Sequence, residues 1–259
     1  MMDVVAGVIT DANVRENLWR EFEIFRKHLT RAMIGLIIGV GISFYYTIPL
    51  MTYLSAPIGG LEGLQAIEVT EELGVFMRVA LTSGIAIMLP YIVFEIWLFA
   101  APGLKPRERK MGLVGIPFSV ILFAGGMAFT FFVLLPTALP FLGGFTQIAE
   151  SWSAREYFRF VTGLMLWIGL FFEFPLVIYV LTSIGFVKPA VLANQWRLAI
   201  VIIAILAAAV TPTIDPVNMG LVMIPMTLLY FISIGLSYIA YAGRQRIEAR
   251  TAKGKTESV

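Results

Sequence analysis

The chain has 259 residues, 59% of them apolar and 14% charged, with a mean hydropathy of +0.86 and a net charge of +2. Soluble globular domains carry about 25% charged residues, so that class is excluded and a bilayer is the solvent that fits. Cysteine is absent, which excludes disulfides and thiolate metal sites, and the lone His28 cannot build a zinc site by itself, so no metal and no cofactor is expected.

Apolar runs, read as crossings of about 30 Å of hydrocarbon, lie at 32–50, 74–100, 111–135, 158–183, 198–210 and 219–242, the fifth being shorter than the rest. They predict an all-α integral membrane protein, a single six-span domain over 1–259 with both termini on one side. Orientation follows the lysine and arginine bias of short loops. Sixteen of the 19 basic residues fall in the amino-terminal segment, the second and fourth connections and the tail; only Arg78, Arg155 and Arg159 fall on the other side. Both termini are therefore assigned to the cytoplasm, with two structured connections outside. Asp3 and Asp11 precede an apolar run that starts only after Arg31, so the start does not read as a cleavable signal peptide.

Within residues 1–31, Leu18, Phe22, Phe25 and Leu29 recur at helical spacing, and this amphipathic segment is expected to lie along the cytoplasmic surface before turning into the bilayer. The first outer connection, 51–73, bears Glu62, Glu68, Glu71 and Glu72 and no basic residue; its Gly and Pro indicate a structured cap, and Thr70 with Glu71 and Glu72 reads as a helix start. In the second outer segment Pro136, Pro140, Gly143 and Gly144 are expected to break the helix until it resumes near Ser153. The fifth run, 198–210, would span only about 20 Å. Either the bilayer thins there, or protein shelters the span, or the helix runs on through Asn194 to Arg197. Residues 243–259 read as a disordered cytoplasmic tail.

Glu173, in LFFEFPLVI, lies about 20 Å along the fourth span. An acid at that depth costs roughly 2.5–3.5 kcal/mol, so it should face a polar cavity or a partner, and Pro175 two residues on suggests a kink beside it. A buried acid hydrogen-bonded for packing is the structural alternative. Glu95, near the cytoplasmic end of the second span beside Trp97, reads as structural as readily as functional. Asp215, between prolines, is explained by turn formation alone. Glu108 is the only acid among Lys105, Arg107, Arg109 and Lys110. It is either a solvated loop charge or an acceptor suited to an arginine, whose guanidinium binds a carboxylate in two places.

Taken together, SAP at Ser55, Ala56 and Pro57, WLFAAPGLKPRER around Phe99, Pro102 and Glu108, GMAFTFFVLLP, FEFP at Glu173 and Pro175, and TP followed by Asp215 resemble the TatC family, the multispanning core of the twin-arginine protein translocase. The resemblance covers nearly the whole chain. It implies a receptor for folded cargo whose signal peptides carry paired arginines, in the cell membrane, with Glu108 contributing to their binding. It also implies roles for Phe99, Pro57 and Pro102, a polar cavity at Glu173, single-span TatA and TatB partners, a homo- or hetero-oligomer, and transport driven by the proton gradient.

Two motifs depart from the family pattern. Ahead of the first span the family reads Glu, Leu, Arg where this chain has Glu23, Ile24, Phe25, Arg26, and the turn TPTIDP holds an extra residue before Asp215. Glu23 and Arg26, three apart, can still share a helix face, and with Glu21 and Glu95 they complete the candidate polar residues. No nucleic-acid partner and no catalysed reaction are expected. The rival reading is a proton-coupled small-solute transporter with Glu173 as intramembrane relay, although such transporters commonly show inverted repeats and paired broken spans, which this sequence lacks.

Overall fold

The computed structural model describes residues 12–101, 106–143, 152–211 and 216–256. Helix α1 runs unbroken over Ala12–Leu54. Its 43 residues extend about 65 Å, twice the thickness of the hydrocarbon. The expected turn after residue 31 does not occur: no glycine or proline interrupts residues 12–34, so the charged segment simply continues the span. Phe22, Phe25 and Leu29 remain exposed there.

Helix α2, Glu71–Ala100, packs along α1. The seam on α1 is Gly35, Gly39, Ser43 and Thr47, one small residue per turn and all buried. Across from it a Cβ on Gly84 would come within 2.7 Å of the Val40 Cα, so only glycine permits this approach. The Ser43 and Ser83 hydroxyls hydrogen-bond across the same seam. Small residues bring the helices close and hydroxyls add polar contacts, the usual logic of association in lipid.

The third crossing starts as α3, Pro106–Phe129, widens into a π-helical turn over Thr130–Leu134 and continues as α4, Leu135–Gly143. The break expected at Pro136 and Pro140 is therefore absent. Pro136 has no N–H for the Phe132 carbonyl, and the π turn directly upstream, where the Leu135 N–H donates to the Thr130 carbonyl, accommodates it.

The helix resumes as α5, Ala154–Phe172, after Ser153, as read from sequence. It breaks at Glu173, and α6 covers Phe174–Ser183 with Pro175 in its first turn. Helix α7, Pro189–Asn194, is separated by Gln195 from α8, Trp196–Val210. The fifth crossing therefore gains Trp196 and Arg197 but does not run on through Asn194, and its 15 residues reach about 22 Å. Within the chain only Ile203 and Ala207 of α8 are buried, while Leu198, Val201, Ile202 and Ile205 are exposed, so this chain alone does not shelter it.

Helix α9 covers Pro216–Thr256. The tail expected to be disordered from 243 is helical to Thr256, because its Arg, Gln, Glu, Ala and Lys residues are strong helix formers uninterrupted by proline. Five of the described helical stretches are long and apolar enough to cross a membrane, and Trp196–Val210 is a shorter sixth.

Helix α5 is the central post: Phe158, Val161, Leu164 and Ile168 are buried among Val75 and Val79 of α2, Leu134, Leu135 and Met226. The Tyr157 hydroxyl donates to the Leu54 carbonyl at 2.6 Å and satisfies the end of α1. The Thr182 and Ser237 hydroxyls, 2.8 Å apart and buried, tie α6 to α9. At the acid-rich end two short parallel strands, β1 (Leu64–Gln65) and β2 (Trp152–Ser153), pair Leu64 with Trp152 and join the two connections expected to be structured. Gly59 and Gly60 shape the preceding turn with φ of 88° and 97°, a region L side chains avoid.

Candidate functional site

At the basic end of the bundle one turn of α1 meets one turn of α2. Phe25 and His28 lie three residues apart on α1, and Glu95 and Phe99 four apart on α2, so each pair shares a helix face. His28 Nδ1 lies 2.6 Å from Glu95 Oε2, with Glu95 only 4% exposed. The Phe25 and Phe99 rings meet edge to face at 5.5 Å, and the His28 ring stands 6.4 Å from that of Phe99. Glu95 is thus not a free intramembrane acid near water but a buried partner of the chain's one histidine, with Tyr91 also hydrogen-bonded to it.

Beyond this pair, Glu21, Glu23 and Arg26 are exposed on the overhang of α1. Among the described residues no ion pair joins Glu23 to Arg26; the Arg26 carbonyl accepts the Thr30 hydroxyl at 2.8 Å. Phe99 keeps 37% of its surface exposed. The backbone of Glu108 lies in the first turn of α3, while its side chain lies outside the described residues. That turn is close by, since the Arg109 guanidinium stands 6.0 Å from the centre of the Trp97 ring, within the α2 turn that carries Phe99. Pro102 and Asp215 lie outside the described residues.

Glu173 sits at the hinge between α5 and α6, 8% exposed, and accepts the Ser119 hydroxyl of α3 at 2.8 Å. The hinge follows from Pro175, which cannot donate to the Phe171 carbonyl. The ladder resumes with the Val177 N–H donating to the Glu173 carbonyl at 3.0 Å. Nearby, a Cβ on Gly126 would lie 2.8 Å from Gly169 Cα, so glycines again allow the close approach of α3 and α5. Glu95 and Glu173 bond to different partners and do not form one polar cluster.

At the acid-rich end Pro57 helps line a hollow of about 660 Å³ with Ile58, Phe131, Leu139 and Trp152. The organising residue there carries in the sequence only the signal of a helix start. Glu71 is 2% exposed. Its carboxylate accepts the backbone N–H groups of Ile67 at 2.8 Å, Glu68 at 3.2 Å and Arg155 at 2.7 Å, and the Ser153 hydroxyl at 2.8 Å. Thr70, by contrast, makes no side-chain cap. His28, Ser119 and Glu71 carry no local signal for these roles: the partners of the first two lie 67 and 54 residues away, and beyond its local bonds to Ile67 and Glu68 the Glu71 carboxylate reaches Ser153 and Arg155, more than 80 residues on.

This chain is similar along most of its length to known proteins. The family model described as Sec-independent protein translocase protein (TatC) matches residues 21–225. The chain belongs to the TatC family. It is 34% identical over 231 residues to the Sec-independent protein translocase protein TatC of Deinococcus radiodurans, covering 86% of each chain. With the TatC of Aquifex aeolicus it shares 33% over 232 residues, covering 86% of this chain and 95% of the relative. A crystal structure described as the twin arginine translocase receptor TatC superposes with a TM-score of 0.77 at 34% identity, over 85% of this chain and 99% of that one.

The TatC match begins at Glu21 and ends at Pro225, so Glu23, Arg26, Glu95, Phe99, Glu108 and Glu173 fall inside it. Residues 226–256 of α9 fall outside it. Family and helices together make this a multi-pass membrane protein, a component of a protein translocase rather than an enzyme.

Proposed function

We propose that this chain is the receptor for signal peptides carrying paired arginines in a translocase that exports folded proteins, with both termini cytoplasmic in the cell membrane. The observation that carries this reading is the basic end of the bundle. There α1 continues past the bilayer with Glu21 and Glu23 exposed, beside a half-exposed Phe99 and the turn that begins α3. Carboxylates on such a rim accept the forked donors of guanidinium groups, with Glu108 as the principal acceptor and Glu21 or Glu23 as the second. Phe99 offers an apolar face to the residues after the arginines. The His28–Glu95 bond holds the overhang against α2 and fixes the spacing of these groups.

In the same reading Glu173 and its hinge engage a polar residue of a single-span TatA or TatB partner in an oligomer powered by the proton gradient, and Pro57, Pro102, Pro175 and Asp215 shape the surrounding turns. Membership of a protein-translocase family favours this over a small-solute transporter with Glu173 as relay. Site-specific crosslinking of a signal peptide to the chain in membranes tests it. Glu108→Gln is expected to reduce the crosslink about tenfold, as is replacing the paired arginines by lysines, which keep charge but lose the fork. Wild-type crosslinking by both would remove the proposed docking site.

A further inference from the structure

Arg78, Arg155 and Arg159 are the three basic residues that fall outside the four segments holding the other sixteen. They come from two helices far apart in sequence, yet they line one hollow of about 360 Å³ with Thr70, Gly74 and Val75. Arg78 lies seven residues past the start of α2 and Arg159 five past the start of α5, roughly 8–10 Å along each helix. On α2 the neighbours Leu73, Met77 and Leu81 are exposed apolar side chains, so the hollow opens beside a lipid-facing flank.

The nearby acids with partners are engaged elsewhere than at Arg78. Glu68 pairs with Arg155 at 2.6 Å, and Glu156 reaches Arg159 only at 3.8 Å, both partners being exposed. Glu71 is occupied by backbone N–H groups and Ser153, and Glu72 is exposed one turn before Val75 without an ion pair among the described residues. Arg78 has no carboxylate partner among the described residues. One turn before it, Gly74 leaves the space open, with nothing within 4 Å of where a Cβ would stand.

A phosphodiester suits this arrangement: it carries one negative charge and free oxygens that accept from guanidinium forks. We propose that the hollow binds the phosphate of an anionic lipid, with Arg78 and Arg159 donating to its oxygens and the acyl chains running along Met77 and Leu81. The site is independent of the signal-peptide reading and of which compartment this end faces.

Native mass spectrometry of the purified chain in neutral detergent, titrated with phosphatidylglycerol, phosphatidylcholine or inorganic phosphate, tests it. Phosphatidylglycerol is expected to be retained in preference to phosphatidylcholine, with affinity falling roughly fivefold for each guanidinium removed in Arg78→Gln and Arg78→Gln/Arg159→Gln. Unchanged retention by the variants, or equal retention of the two lipids, overturns the proposal. Inorganic phosphate binding as tightly as the lipid assigns the hollow to the free anion and overturns it too. If the double variant elutes as aggregate, Arg78→Gln alone decides, because Arg78 has no described ion pair whose loss could unfold the chain.

Discussion

Glu71 and Glu72 are adjacent and chemically identical, yet one is buried and accepts four hydrogen bonds while the other is exposed. A neutral amide at 71 would turn part of its acceptor surface into a donor facing donors, and buried groups left unpaired are costly. Glu71→Gln is therefore expected to lower the thermal midpoint in detergent by several degrees, with Glu72→Gln unchanged; equal midpoints would show that the carboxylate does not hold the connections together. At this scale the sequence is legible only in part. The price of an acid at membrane depth announces that Glu173 and Glu95 need partners, but His28 and Ser119 become visible only once the helices are assembled. The side chain of Glu108 and the turn at Asp215 lie outside the described residues, so their roles rest on motif and family.

The helices themselves are the most legible elements, since each crossing follows from an apolar run, and the Glu173 hinge follows from one proline. Where sequence and structure part, the reason is what a local signal omits. Pro136 signals a break, yet the π turn ahead of it lets the helix continue. The change from a charged, amphipathic segment to an apolar run at Arg31 signals a turn, yet residues 12–34 hold no glycine or proline to break the helix. The contact between α1 and α2 rests on glycines whose role depends on the opposite helix. Gly84→Ala would place a methyl 2.7 Å from Val40 Cα, whereas at Gly41 nothing lies within 4 Å of the added carbon. Gly84→Ala should thus destabilise the fold by about 1–3 kcal/mol, and Gly41→Ala should be neutral or stabilising by up to about 1 kcal/mol through helix propensity, both read from unfolding in detergent. Similar effects at the two sites would mean that α1 and α2 do not pack through this seam.

Across the whole molecule, charge asymmetry carries a prediction of topology: six crossings would place both ends on one side, and the basic residues predict that this side is the cytoplasm. The absence of cysteine makes this directly measurable, because any single introduced cysteine is the only one present. A cysteine at position 23 is expected to react with an impermeant maleimide only in opened cells, and one at position 67 in intact cells; the reverse pattern would place the proposed docking rim in the wrong compartment. The short ladder of Leu64–Gln65 with Trp152–Ser153, reinforced by Glu71, laces the two connections at one end, whereas the described polar tie between α1 and α2 at the other end is His28 with Glu95. The acid-rich end is thus pinned from two connections at once, while at the basic end the register of Glu21 and Glu23 against Phe99 follows from where His28 meets Glu95.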